Sequence, residues 1–349
     1  MRNYPSVLSR GLPLMMLFGV LVGLAACAEE VKVKKSAITY SDWNALPGTA
    51  NIPTLRTVPH FGVSGNNIIV MGGYSAYPTA TNVVEVFNTT TNTWATSAAT
   101  LPVMTSGAFS GVHNGKMYLS AGYLASTGYI YETQEFELAS DSFTNCAGST
   151  TGSPCATISP GNFGLGAEHA AGVVHNGKIY SFGGKRDLSG FDDAVREYDI
   201  ATNTWTDCTG GCAPLPIGPT WMGAAEVVNG KAYYFDPWNG VLEYNIATDA
   251  WTNCGTPAPG NNCAAVPFSI TGLTSTVQMH GRIFALHENT TVLYEYTPAS
   301  NTWTNCGTPA PGNGCPVLPG TATHIKAVGS NLYAFDQATG IIYKTTFAP

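Results

Sequence analysis

The chain has 349 residues, of which 44% are hydrophobic and only 11% are charged, and it contains 39 glycines and 22 prolines. Abundant Gly, Thr and aromatic residues with few charges favour an all-β protein over a helical one. The formal net charge of −7, without a basic cluster, excludes the electrostatic footprint of a nucleic-acid-binding protein.

Residues 1–26 are predicted to form a secretory leader. Arg2 and Arg10 come first, and the apolar run from Leu12 to Ala26 is short for a membrane span. The leader ends in Leu24-Ala25-Ala26-Cys27, which resembles the lipobox of bacterial lipoproteins. That resemblance implies that Cys27 becomes the lipid-modified first residue of the mature protein.

The residue after Cys27 is Ala28 rather than Asp, which under the same resemblance implies sorting to the outer membrane, with a periplasmic or surface-facing position. The protein would then contact the membrane only through its lipid anchor. Ordinary signal cleavage is the alternative, but it would leave an unpaired thiol in an oxidising compartment. Residues 27–35 would form the lipidated cysteine and a charged tether.

An internal repeat follows, and its clearest copy runs from Ala194 to Cys212. Two β-rich runs flank the polar tetrapeptide Ala201-Thr202-Asn203-Thr204, which predicts a β-hairpin carrying Tyr198 and Trp205 seven residues apart. The same spacing recurs in the pairs Phe87/Trp94, Phe136/Phe143, Tyr244/Trp251 and Tyr296/Trp303. We interpret these aromatic residues as packing between repeats rather than as a binding stripe.

A second hairpin precedes this one in each unit, with a turn such as Asn176-Gly177 and a closing doublet such as Gly183-Gly184. The doublet followed by the spaced Tyr and Trp resembles the kelch repeat, whose period is about 50 residues. The resemblance implies an all-β, six-bladed β-propeller of four-stranded antiparallel blades over residues 36–349. The doublet is replaced by Asp236-Pro237 and His287-Glu288 in the fourth and fifth units.

The sixth unit lacks a fourth strand and a Trp, because residues 321–349 supply only three strands. The N-terminal stretch 38–47 ends in the Trp-then-Leu-Pro pattern of an outer strand, with Trp43 before Leu46-Pro47. We therefore expect the N-terminal strand to close the last blade and leave no unpaired edge.

Eight of the nine cysteines form four close pairs: Cys146/Cys155, Cys208/Cys212, Cys254/Cys263 and Cys306/Cys315. An even set at short spacing in an exported protein predicts four local disulfides. Zinc binding is the alternative, but pairs on separate repeats would not converge on one ion.

In such blades the links from strand two to strand three, and from strand four to the next blade, emerge on one face. Here these are the long and variable links, and we call this side the loop face. Its second-to-third strand links carry aromatic and charged residues that suit a sugar, a peptide or a protein loop. The candidate binding residues are Tyr74, Tyr77, Tyr123, Tyr129, Arg186, Asp192 and Trp238. The alternative is that they are solvated loop residues whose charges pair with one another.

Two further sets of residues could carry chemistry. His60 and His324 share one register of neighbouring inner strands and are candidates for a metal or a proton relay, although a third ligand is not evident and kelch repeats often have a structural His there. Glu168 and His169 lie near the predicted channel mouth and are candidates for acid/base catalysis. The chain has no nucleophile elbow, phosphate loop or dinucleotide fingerprint.

These patterns favour a monomeric, lipid-anchored propeller of the bacterial envelope that needs no cofactor and binds a protein or a glycan through its loop face. The alternative is a carbohydrate-active enzyme resembling the periplasmic kelch mutarotase that acts on sialic acid. That enzyme's active-site residues have no assignable counterparts in this chain, so the alternative depends on likeness of fold alone.

Overall fold

The computed structural model describes residues 39–144, 155–158, 168–186, 190–207, 212–236, 240–253, 263–264, 275–287, 290–306, 315 and 317–348. The predicted leader, Cys27 and the tether lie outside these residues. Within them the structure is β throughout, apart from a 3₁₀ turn at Gly48–Ala50. No helix in the described part is long and apolar enough to span a membrane.

Six antiparallel sheets form the blades of a propeller, each with its strands in sequential order. The strands of blades 1 to 3 are His60–Ser64, Asn67–Met71, Val84–Asn88, Thr93–Thr96; Phe109–His113, Lys116–Ser120, Thr133–Glu137, Ser142–Thr144; and Ala171–His175, Lys178–Phe182, Val195–Asp199, Thr204–Asp207. Those of blades 4 to 6 are Ala224–Val228, Lys231–Asp236, Gly240–Asn245, Ala250–Asn253; Ser275–Met279, Arg282–Leu286, Leu293–Thr297, Thr302–Asn305; and His324–Val328, Asn331–Phe335, Ile342–Ala348. The predicted six-bladed fold is confirmed.

The turns between strands one and two explain the recurrent Asn-Gly pairs. In blade 3, Asn176 has φ 49° and Gly177 has φ 75°. Positive φ at both central residues is the geometry of a two-residue type I′ hairpin, which Asn and Gly adopt most readily. The turn fixes the register, with Ala171 opposite Phe182 and His175 opposite Lys178.

Both ends of the described chain complete blade 6. The short strands Thr39–Tyr40 and Asn44–Ala45 pair with the last strand, with Tyr40 opposite Phe347 and Asn44 opposite Lys344. Trp43, between the two short strands, is buried in the core of this blade. The predicted closure by the N-terminal strand is therefore confirmed.

The core lies between neighbouring blades, as the repeated aromatic residues predict. In each of blades 1 to 5 the strand-three ring lies opposite the strand-four ring, with centroids 4.8–5.2 Å apart. Phe182 of blade 3 also contacts Tyr244 and Trp251 of blade 4, at 5.8 and 5.6 Å. The spaced rings thus join one blade to the next.

A hydrogen-bonded clasp accompanies these rings. Ala213 N–H donates to Asp249 Oδ1 over 2.5 Å, and the Ala213 carbonyl accepts from Trp251 Nε1 over 2.8 Å. The same two bonds join Ala156 to Asn203 and Trp205, and Ala264 to Asn301 and Trp303. Each of these alanines directly follows the second cysteine of a pair, so the clasp holds that cysteine's segment against the next blade.

The clasp brings a turn between strands three and four into contact with a cysteine segment, which the order of the strands alone does not predict. Because strand direction alternates, we expect the turns between strands three and four to lie opposite the cysteine segments. The structure instead places the turn residue Asn203 in contact with Ala156, the residue after Cys155. Sheet twist accounts for this, since it rotates the outermost strands away from the channel direction and brings their turns against the neighbouring blade.

Candidate functional site

The first strands of all six blades line a central cavity of about 480 Å³. These strands begin at the loop face, so their first residues surround the channel mouth. The links of the loop face lie around that mouth, and together they form the concave, variable part of the propeller. This is the region where ligands are expected on a propeller scaffold.

Three two-stranded ribbons project from the second-to-third strand links of blades 1 to 3. Their strands are Tyr74–Ala76 with Thr79–Ala80, Tyr123–Leu124 with Gly128–Tyr129, and Lys185–Arg186 with Gly190–Phe191. Each ribbon pairs at its base with the segment leading into the inner strand, through the bridges Thr57–Tyr74, Ser106–Tyr123 and Glu168–Lys185. The ribbons are therefore anchored to the channel mouth on one half of the ring.

The ribbons present some of the predicted binding residues at the surface. Tyr77 is 73% exposed at the tip of the first ribbon. Tyr123 and Tyr129 are half-buried and pair across the second ribbon, with ring centroids 5.3 Å apart. Arg186 pairs with Gly190 through its backbone, and Trp238 lies outside the described residues.

Two predicted binding residues are buried, which corrects their assignment as surface contacts. Tyr74 is 5% exposed because it packs between the first and second ribbons, where its hydroxyl accepts a hydrogen bond from the Ala125 N–H. Asp192 is 1% exposed and forms an ion pair with buried Arg196. Both side chains stabilise the links instead of facing a ligand.

Large apolar side chains are exposed on the loop face. The exposed large hydrophobic residues of the described chain are Leu55, Tyr77, Met104, Phe191 and Val317, each at least 39% exposed. All of them lie in the long links, and none lies in a blade strand or in a short turn. Among the described residues, the large hydrophobic side chains that are exposed therefore all belong to links of the loop face.

Glu168 and His169 lie together at the channel mouth, as predicted. His169 has φ 55°, and its backbone joins blades 2 and 4: its N–H donates to Gly107 and its carbonyl accepts from Met222. Its Nδ1 lies 3.5 Å from Glu168 Oε1, and Lys185 Nζ lies 3.9 Å from Glu168 Oε2. The site thus combines a carboxylate, an imidazole and an ammonium group.

Burial shifts the pKa values of Glu168 and His169 in the directions that favour the neutral form of each side chain. Burial raises the pKa of Glu168, and Lys185 partly opposes the rise. Burial, with a smaller contribution from Lys185, lowers the pKa of His169 to about 4. His169 is therefore neutral near pH 7, and its ring is available for hydrogen bonding.

Two aromatic residues that the sequence interpretation missed complete this cluster. The rings of Phe191 and Trp221 stack, with centroids 5.1 Å apart and planes 13° apart. Trp221 also meets the edge of His169 at 5.8 Å and the ammonium of Lys185 at 5.6 Å. The available signal was that Trp221 falls outside the seven-residue Tyr/Trp spacing, so the repeat does not account for it.

His60 and His324 lie in the predicted shared register, each as the first residue of its inner strand. His60 donates from Nε2 to the Thr105 carbonyl over 3.2 Å, whereas His324 stacks on Phe61 with centroids 4.5 Å apart. No cluster of three or more His, Cys, Asp or Glu suited to a metal occurs among the described residues. These contacts support the structural alternative for both histidines.

One predicted disulfide is fully described, between Cys306 and Cys315, with Cα atoms 4.9 Å apart. Cys155 and Cys263 are also disulfide-bonded, while their predicted partners Cys146 and Cys254 lie outside the described residues. Cys212 is buried, and Cys208 is likewise outside the described part of the chain.

The fold, the closed ring and the clustered loops define a six-bladed kelch-type propeller. A family model for the KLHDC2/KLHL20/DRC7 Kelch-repeats domain matches residues 26–235, which is more than half of the chain. The chain therefore belongs to this kelch-repeat family. No curated protein gave a significant match.

Proposed function

We propose that the chain is a binding module that presents its loop face to a protein or glycan partner in the bacterial envelope. The observation that carries the proposal is the confinement of the exposed large hydrophobic side chains to the links of that face. Exposed apolar residues grouped on one side of a soluble fold are typical of interaction surfaces. Kelch propellers generally bind proteins, which favours a protein partner.

The proposal places the protein at the outer membrane through a lipid on Cys27. Its support is the lipobox-like sequence and the charged stretch 28–35 that separates Cys27 from the first strand at Thr39. A lipid on Cys27 would keep the propeller in the same compartment as its envelope partners.

The first test compares capture of partners by two variants that change equal numbers of exposed residues. The Leu55→Ser/Tyr77→Ser/Phe191→Ser variant removes apolar side chains from the loop face. The control, Ala139→Ser/Ala201→Ser/Ala247→Ser, changes exposed alanines in the turns between strands three and four. We expect the loop-face variant to bind its partner at least roughly tenfold more weakly in envelope pull-downs or on a glycan array, and the control to bind like wild type.

Equal capture by all three proteins would contradict the assignment of the loop face.

A second candidate function, a carbohydrate-active enzyme, is favoured by the juxtaposition of Glu168, His169 and Lys185 beside the Phe191–Trp221 stack. Acceleration of sugar anomer exchange by the wild type, lost in Glu168→Gln, would replace the binding function with that activity.

A further inference from the structure

The middle of the channel carries two opposite charges that do not touch. Glu226 and Lys326 are the third residues of the inner strands of blades 4 and 6, and both line the central cavity. Glu226 Oε1 accepts a hydrogen bond from Thr276 Oγ1 over 3.2 Å, and the Glu226 carboxylate also accepts one from the Gln278 backbone N–H. Within the part of the chain that the structure describes, no ion pair within 4.0 Å joins the two charges, and the Lys326 ammonium makes no hydrogen bond.

The inner strands of blades 1 and 2 have glycine, and therefore no side chain, at the same depth of the channel. The corresponding third residues there are Gly62 and Gly111. A Cβ atom on Gly62 would lie 2.6 Å from the sulfur of Met117, and one on Gly111 would lie 2.2 Å from Cγ2 of Val174. Neighbouring blades thus exclude side chains at both positions, so the inner strands of blades 1 and 2 add no side chain to the cavity at this depth.

Both side chains are partly exposed to the channel, and neither has an oppositely charged group of the described chain in contact with it. Burial raises the pKa of Glu226 and lowers that of Lys326, and each charge only partly offsets the shift of the other. A direct ionic partner stabilises a charge that is partly removed from water, because it replaces the hydration that is lost. A ligand with one cationic and one anionic end would supply a direct partner to both at once.

We propose that the channel binds a small zwitterion of the amino-acid type, with its ammonium group at Glu226 and its carboxylate at Lys326. The cavity of about 480 Å³ is in the size range of small-molecule sites. A ligand with a single charge would leave either Glu226 or Lys326 unmatched, so the site discriminates against simple acids and amines. This site is independent of the loop-face function and would exist whichever macromolecule binds there.

The test is calorimetric titration of the purified protein with glycine, γ-aminobutyrate and ε-aminocaproate, which differ in the separation of their charges. Butyrate and butylamine are the matched probes with one charge. We expect at least one zwitterion to bind a single site per chain, at least roughly tenfold more tightly than either matched probe. Absence of saturable binding by all three zwitterions at millimolar concentration, or equal binding of the singly charged probes, would overturn the proposal.

Substitutions then locate the site. Glu226→Gln and Lys326→Met should each weaken zwitterion binding roughly tenfold or more, because each removes one charge-assisted contact. Lys178→Met is the control, since Lys178 pairs with Glu197 on blade 3 outside the cavity lining. Unchanged binding in both channel variants would reject this location. If a channel variant does not fold, the wild-type comparison of zwitterions with singly charged probes still decides the proposal.

Discussion

Three histidines at the channel mouth are held neutral by burial. Burial lowers the pKa of His60 and of His169 to about 4, and that of His324 to about 3. The ordinary pKa of a histidine side chain is 6.5. Between about pH 6.5 and 4, these three side chains therefore bind more protons in the unfolded chain than in the folded protein. These three histidines therefore lower the free energy of unfolding as the pH falls through this window.

At the residue scale, we predict that His324→Phe reduces this acid sensitivity. Phenylalanine is compatible with the site because Phe109 occupies the same register in blade 2. Between pH 7 and pH 4.5 each buried histidine should lower the free energy of unfolding by roughly 2 kcal/mol. The decrease in unfolding free energy should therefore be smaller by about this amount in the variant than in the wild type. Urea denaturation at the two pH values measures it.

The matched control is His280→Asn, at an exposed turn position where blades 2 to 4 have Asn114, Asn176 and Asn229. This control should retain the wild-type pH dependence. If His324→Phe loses as much stability on acidification as the wild type does, burial of His324 is not a source of the acid sensitivity.

Individual site residues were only partly predictable from the sequence. Tyr77, Glu168 and His169 lie at the loop face as expected, because their positions follow from the order of strands and links. Tyr74 and Asp192 could not be recognised as buried, since their burial depends on contacts between neighbouring links. Glu226 and Lys326 line one cavity only because closure of the ring arranges the inner strands of blades 4 and 6 around a common channel.

At the scale of elements, the unit of stability is the joint between two blades. The joints from blade 2 to blade 3, blade 3 to blade 4 and blade 4 to blade 5 each combine a ring pair with a Trp N–H bond to the segment that follows the preceding blade's second cysteine. Each of these bonds therefore links the end of one blade to the outer strands of the next.

We predict that the Cys306→Ser/Cys315→Ser variant loses roughly 2–3 kcal/mol of unfolding free energy, because a loop with a sequence separation of 9 is no longer closed in the unfolded chain. Urea denaturation without reductant measures the loss. The control is the same comparison in excess reductant, where wild type and variant should converge. A difference that persists in reductant would show that the serines, and not the missing bond, destabilise the protein.

The strands and their order were predictable from the repeat because the seven-residue spacing and the Asn-Gly turns are local signals. The three ribbons on blades 1 to 3 were not, since their strands are only two or three residues long and lack a recognisable alternation. Their formation depends on pairing with the segments before the inner strands.

At the scale of the whole molecule, the ring is closed by two short strands from the N-terminal side of the chain. Deleting residues 36–47 should expose the edge of the strand Ile342–Ala348 and remove Trp43 from the core of blade 6. We predict a fall in melting temperature of at least roughly 10 °C. Deletion of residues 28–35 is the control and should leave the melting temperature unchanged. Equal melting of both deletions would contradict a stabilising role for the closure.

The pairing of Tyr40 with Phe347 joins the two ends of the described chain, so it can form only when synthesis is almost finished. A polypeptide that emerges with its N-terminus first presents Thr39–Tyr40 some 300 residues before its partner strand exists. Until then the contact that closes the ring through blade 6 cannot form. The ring can therefore close only after the final residues of the chain are available to pair with Thr39–Tyr40.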